Sequence, residues 1–322
     1  MEGRRFLDFG MALRAVTVGY DYGRISNAAI EQIRKGNNLT RPSKIEVEAA
    51  ETLCSLMPWV EMVKFAKNGS NVTSAAVKLA RAYTGKKYVA KCAEHPFFSF
   101  DDWFIGTTVM DRGVPEEYKS LMLDFHYNDM ASVERLFSEH PEGIAAVILE
   151  PATTEEPKDG FLHKLKELCK RHNTVFILDE MITGFRWHLQ GASKYYDIEP
   201  DLVTYGKGMA NGFSVAALGG KREIMELGGI RHAGERVFLI STTHGAEMSG
   251  LGAFVETVKV YKELDVVGGM WSAGKRLMDG MNGISRELGI SDYFSFMGLP
   301  CSLNFITKDA SGAISLEMRT LF

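Results

Sequence analysis

The sequence predicts an α/β fold: a mostly parallel sheet with helices on its faces, plus a smaller α+β unit toward the C-terminal end. Three observations carry this. Four short apolar runs, IAAVIL, VFIL, LVTY and VAALG, follow one another between positions 144 and 220 and are rich in β-branched residues. The stretch GFLHKLKELCKRH, apolar at helical spacing, separates the first two. Such alternation is the pattern of parallel strands buried on both faces. The third observation is chemical. Glu150, Asp179 and Lys207 each follow or close one of these runs, and ligands of such sheets sit beyond the carboxyl ends of the strands.

The elements can be taken in order. Residues 1–45 read as an opening segment. In it RRFLDFG is a short strand, VTVGYDYG a strand and turn, and NAAIEQIRKG a helix capped by Ser26 and ended by Gly36. EVEAAETLCSLM has helical spacing and stops before Pro58, and MVKFA is a short strand. Gly69 and Ser70 lie on a turn into a helix that packs Ala75, Ala76, Leu79 and Ala80. Free backbone N–H groups and the helix dipole make such a turn an anion site, unless Ser70 or Asn71 is simply its cap. YVA is a strand, and CAEHPFFSFDDWFIG is an aromatic loop in which His95 reads as structural. NDMASVERLFSEHP is a surface helix. After the central sheet, REIMELGG is a short helix, VFLISTTHGAE a strand and turn, and VETVKVYKEL part of a long helical run. CSLNFIT is a strand of the smaller unit, and SLEMRTLF opens a helix.

The chain has 322 residues, 45% hydrophobic and 24% charged, ample for one large or two ordinary domains. The expected division is an N-terminal segment 1–45, a large domain 46–250 and a partial small domain 251–322. Net charge is -4 with no block of like charge, so nucleic acid is not an expected partner. Four scattered cysteines with no CxxC pair read as reduced thiols rather than a disulfide frame or a zinc site. No signal-peptide core and no run of about 18 apolar residues is present. A cytoplasmic protein is expected.

A carboxylate and a lysine brought by two strands to one cavity suit a pyridoxal 5'-phosphate (PLP) enzyme. There the lysine forms the Schiff base and the acid holds the pyridine nitrogen protonated. The GxGxxG dinucleotide fingerprint is absent, because GKGMANG spaces its glycines differently.

The run LDEMITGFR followed by PDLVTYGKGMANG resembles the class III (fold-type I) PLP-dependent aminotransferases, close to the glutamate-1-semialdehyde 2,1-aminomutase branch. The resemblance covers nearly the whole chain. It implies a seven-stranded type of sheet, Lys207 as the Schiff-base lysine and Asp179 as the partner of the pyridine nitrogen. It places Gly69, Ser70 and Asn71 at the cofactor phosphate. PFFSFDDWF aligns with the family pattern GYHGWHDWY, which puts Phe97 on one face of the ring and Met181 on the other. STTHG matches the turn whose threonine, Thr243 here, reaches the phosphate of the partner subunit, so a homodimer with shared active sites is implied. Departures are visible. The family has Glu-Ala at Asn71-Val72, and many members have Gln at Ile182, where the aminomutase branch is apolar. The aminomutases carry Trp at Leu13 and a small residue at Arg14. Arg14 then reads either as a surface residue or as the receiver of an anionic substrate group. The family extends beyond both ends of this chain.

Three functions are compatible with these residues. One is an aminotransferase acting on a small amine, amino acid or keto sugar and a carbonyl acceptor. Another is a glutamate-1-semialdehyde-type aminomutase, favoured by MITGFR and disfavoured by Leu13 and STTHGAE. The third is a catalytically incomplete homologue or gene fragment, suggested by the short ends.

Overall fold

The computed structural model describes residue 3 and residues 5–95, 98–240 and 243–321. Seven strands form one sheet: β1 (Met62–Ala66), β2 (Tyr88–Cys92), β3 (Met122–Phe125), β4 (Ile144–Leu149), β5 (Val175–Glu180), β6 (Leu202–Tyr205) and β7 (Ala216–Gly220). Their spatial order is β1-β7-β6-β5-β4-β2-β3. The five strands from β6 to β3 are parallel neighbours, and β7 runs antiparallel between β6 and β1. The expected mostly parallel sheet is therefore observed. Strands β4 to β7 are buried along their whole length, which is why their sequences read as unbroken apolar runs.

Each face of the sheet builds a core. The helix Gly69–Thr84 covers one, with Val72, Ala75, Ala76, Leu79 and Ala80 against Ile148, Ile177 and Leu218. Its alanines let it lie close to the strands. The helices Lys44–Leu56, Phe161–Arg171 and Met248–Glu263 cover the other, around Phe176, Leu178, Val203 and Phe254. A long helix, Val266–Glu287, leads to a two-stranded antiparallel sheet of β8 (Phe294–Met297) and β9 (Asn304–Thr307). This small sheet and the flanking helices match the expected α+β unit. No helix among the described residues is long and apolar enough to cross a membrane.

Several local expectations are corrected. Neither RRFLDFG, in its described part, nor VTVGYDYG forms a strand. The helix NAAIEQIRKG begins earlier, at Gly23, so Ser26 lies inside it and caps nothing. VFLIS is no strand in its described part. Val237 N–H instead bonds Leu227 O at 2.9 Å, and Phe238 O accepts from Lys78 Nζ at 3.0 Å, which leaves the segment as a loop on the Gly69–Thr84 helix.

Candidate active site

Parallel register brings the predicted residues to one edge. β5 and β6 pair Asp179 with Thr204, and Lys207 follows β6 by two residues. Successive strand residues face opposite ways, so the two acids closing β5 part company. Glu180 points into the core, where it accepts hydrogen bonds from Thr183 Oγ1, Ala192 N, Ser193 N and Ser193 Oγ. It is structural. Asp179 lies on the face beneath the Gly69–Thr84 helix, only 2% exposed. Its Oδ1 accepts from Met181 N and Thr204 Oγ1, each at 3.0 Å, while its other oxygen accepts nothing from the described residues. Burial raises its pKa, and the Met181 amide, Lys207 and Thr204 pull it back down. A buried acid so placed is stabilised by a cation brought to its free oxygen.

Lys207 is held by backbone conformation. It sits at φ 44, and Asn211 and Gly212 of the same turn are also left-handed, at φ 46 and 96. The Asn211 amide clamps this turn to the opening segment: its oxygen accepts from Thr17 N (2.8 Å) and Val18 N (3.0 Å), and its nitrogen donates to Gly19 O (3.1 Å). Tyr261 OH donates to Gly208 O from the far side at 3.2 Å.

The Gly69–Thr84 helix starts two residues sooner than a cap at Ser70 would give it. Its cap is Asn68, whose side chain accepts from Asn71 N at 3.1 Å, rather than Ser70 or Asn71. The Asn71 amide is therefore committed to the cap. Gly69 and Ser70 stand in the first turn, where backbone N–H groups have no intrahelical acceptor. Met181 joins this turn to the lysine turn. A Cβ on Gly69 would stand 3.3 Å from Met181 Sδ, and one on Gly206 only 2.5 Å from it. Two first-turn amides, a sulfur-lined floor, an acid with a free oxygen and a lysine fit the phosphate, ring and nitrogen of PLP.

The remaining predicted residues divide. Phe97 lies outside the described residues. Thr243 is exposed and lines a surface groove of about 250 Å³ with Asn38, Arg41 and Lys64, and its carbonyl accepts from Asn38 Nδ2 at 2.9 Å. Arg14 belongs near the Lys207 turn, since its carbonyl oxygen is 3.7 Å from where a Gly208 Cβ would be. Glu150, set aside on sequence grounds as a strand end, fronts the same site. Burial and the nearby Asp179 raise its carboxyl to about 8, against the pull of Lys207 and Arg14. His95, expected to be structural, is buried behind Glu150. Its Nδ1 accepts Glu150 N–H at 2.9 Å, and burial holds the ring neutral by lowering its pKa to about 4.

The family model for class III aminotransferases matches residues 1–317. The chain belongs to the class III aminotransferases. These enzymes are PLP-dependent, and their fold-type I sheet is the one seen here. Among relatives, the chain is 30% identical to the 3-aminobutyryl-CoA aminotransferase of Cloacimonas acidaminovorans, over 99% of this chain and 76% of that protein. It is 30% identical to the glutamate-1-semialdehyde 2,1-aminomutase of Persephonella marina, over 96% and 74%. Against the aminomutase of Myxococcus xanthus it is 36% identical, over 70% and 55%, so this chain spans about half the length of that relative. Among solved structures, the omega-transaminase of Sphaerobacter thermophilus superposes with a TM-score of 0.85 at 25% identity, covering 97% of this chain and 76% of that one. The PLP-bound FumI protein of Sphingopyxis sp. MTA144 gives 0.86 at 26%, covering 94% and 72%.

Proposed function

We propose that this class III chain is an aminotransferase that moves an amino group between an amino donor and a carbonyl acceptor, with Lys207 as the lysine that holds the cofactor. The observation that carries the proposal is the meeting of Asp179 and Lys207 at the ends of adjacent parallel strands, beside the two first-turn amides of Gly69 and Ser70. PLP, when bound, supplies an electron sink next to the transferred nitrogen. Asp179 offers its free oxygen to the pyridine nitrogen and holds the proton there. Gly69 and Ser70 donate backbone N–H groups to the phosphate at the positive end of their helix. Asn71 stands in the same turn and holds it through the cap. Met181, between the two turns, would line one face of the ring. Lys207 Nζ moves the proton at the substrate carbon. Thr243 serves the site of a partner subunit, which its exposure on a surface groove supports, so the working unit is a homodimer. The four unpaired cysteines support a reducing, cytoplasmic setting.

A second reading is an aminomutase that returns the amino group to the neighbouring carbon of the same molecule. The apolar Ile182 and the aminomutase relatives favour it. The test is an absorbance spectrum of the purified protein with PLP, then an assay of amino donors against keto acids. A visible band that Lys207→Ala abolishes, with turnover lost in the variant, is the expected outcome. Full turnover by Lys207→Ala overturns the assignment. Product formed from glutamate-1-semialdehyde with no added acceptor selects the aminomutase.

A further inference from the structure

Between β1, which ends at Ala66, and Asn68, the cap of the Gly69–Thr84 helix, stands a single residue, Lys67. Its orientation therefore sets where the first-turn amides of that helix point. Lys67 is fastened by backbone and by side chain. Its carbonyl accepts from Ser214 Oγ at 2.7 Å, in the loop that follows the lysine turn. Its ammonium pairs with Glu247. The two side chains are 26% and 23% exposed, so water and salt screen this pair less than a surface one. Lys67, with help from Asn37, holds the Glu247 carboxyl below its ordinary pKa, against the effect of burial. Glu247 occupies the N-cap of the Met248–Glu263 helix yet makes no capping bond there. A remote residue supplies the cap instead. Asn37 Oδ1 accepts from Ser249 N at 3.0 Å and Asn37 O from Met248 N at 2.7 Å, while Asn37 Nδ2 donates to Glu247 Oε1 at 2.6 Å. The acid is thereby released from its own helix and committed to the residue that precedes the Asn68 cap.

We propose that Lys67 and Glu247 are positioning residues for the cofactor phosphate: their ion pair aims the Gly69 and Ser70 amides. This role rests on the aminotransferase reading and adds to it a device outside the groups that touch the cofactor. An amide gives a strong hydrogen bond only when its N–H points close to the line to the acceptor. A small displacement of a binding group is felt far beyond its size. With one residue between strand and cap, movement of Lys67 passes directly to Asn68 and the amides after it. Charge and position then predict opposite signs. Glu247 is a negative charge close to a site for an anion, so by charge alone its removal strengthens phosphate binding. Acting through position, its removal weakens that binding.

The experiment has two arms. In the first, dissociation constants of PLP and of pyridoxal, which lacks the phosphate, are read from the visible band. Glu247→Gln should raise the PLP constant about tenfold, the scale of one weakened hydrogen bond to a charged group, and leave that of pyridoxal nearly unchanged. Glu247→Asp keeps the charge and withdraws the carboxylate by one methylene. It should also lose PLP affinity, and it covers the case in which Glu247→Gln does not fold, which far-UV spectra report. Lys67→Met should bind PLP more weakly as well. Combined with Glu247→Gln, it should lose less than the product of the two single losses, because both break one pair. The second arm needs no cofactor: inorganic phosphate is titrated calorimetrically into the PLP-free wild type and the Glu247 variants, which should bind it more weakly. PLP or phosphate binding in the folded variants as tight as in wild type, or tighter, overturns the proposal, and so do equal losses for PLP and pyridoxal. Absence of a visible band with PLP in the wild type instead defeats the aminotransferase reading, and the phosphate titration still decides the positioning role.

Discussion

At the scale of the residue, the site turns on two buried carboxyls, Asp179 and Glu150. Asp179 has one oxygen committed to Met181 N and Thr204 Oγ1 and the other without a partner among the described residues. An amide at this position keeps the shape and loses the charge. Asp179→Asn should fold normally and lose at least ~100-fold in turnover, the low end of a lost acid–base or electrostatic role; steady-state rates beside a far-UV spectrum check it. Glu150 yields a pH prediction. Its carboxyl is raised from 4.5 to about 8 in the folded protein, so the native state holds this proton more tightly than the unfolded chain. The stability it contributes is complete below pH 4.5 and is lost as pH rises through about 8. Glu150→Gln has no such titration. Relative to wild type, its stability should therefore rise between about pH 5 and 8, by more than ~1 kcal/mol at 1.36 kcal/mol per pK unit. Denaturant unfolding at several pH values without added PLP measures the difference. His95 works in the opposite direction, lowered from 6.5 to about 4, but it is common to both proteins and cancels in the comparison.

At the scale of the element, the decisive unit is the start of the Gly69–Thr84 helix. Asn68 caps it, Thr73 Oγ1 ties it to Phe98 O at 2.9 Å, and Ser70 Oγ accepts from Phe100 N at 3.2 Å. The first turn is thus fixed to the aromatic loop on one side and rests on Met181 on the other. Asn68→Ala removes the cap and should cost about 1 kcal/mol of stability. Because the frayed turn also carries the Gly69 and Ser70 amides, PLP affinity should fall together with stability. A thermal midpoint that drops while the PLP dissociation constant stays put would separate the cap from the phosphate role.

At the scale of the whole molecule, the proposed homodimer makes a prediction about the surface. Val109, Met110, Ile230 and Phe238 are large apolar side chains left mostly exposed, and Thr243 lines a groove with Asn38, Arg41 and Lys64. In a homodimer with shared sites, Thr243→Ala removes a hydroxyl donor from the partner's phosphate. It should weaken PLP binding by roughly 1.5–3 kcal/mol, the range for a hydrogen bond to a charged group. It should also weaken the dimer when PLP is present and much less when it is absent, because the lost contact links the two equilibria. Sedimentation of wild type and variant with and without PLP is the measurement. A monomer that binds PLP with full affinity would remove Thr243 from the site.

What the sequence determined by itself follows from short-range regularities. Apolar runs bounded by turns placed β1, β4 and β6 at their observed ends, and β5 two residues short because Asp179 and Glu180 continue it. The tips then exposed Asp179 and Lys207, and the lysine turn showed itself by its glycines. Tertiary structure alone decided what depends on contacts between distant segments. Which of Asp179 and Glu180 meets the site follows from the side of the sheet that the Gly69–Thr84 helix covers, and no pattern within VFILDE states it. RRFLDFG and VFLIS have strand-like composition, yet in their described parts neither joins the sheet. Glu150 looked like an ordinary strand end until β4 was set beside β5, and Asn304 lies 290 residues from Arg14, which donates to it. Composition and periodicity report the environment a residue requires. Only the folded chain reports which other residue supplies it.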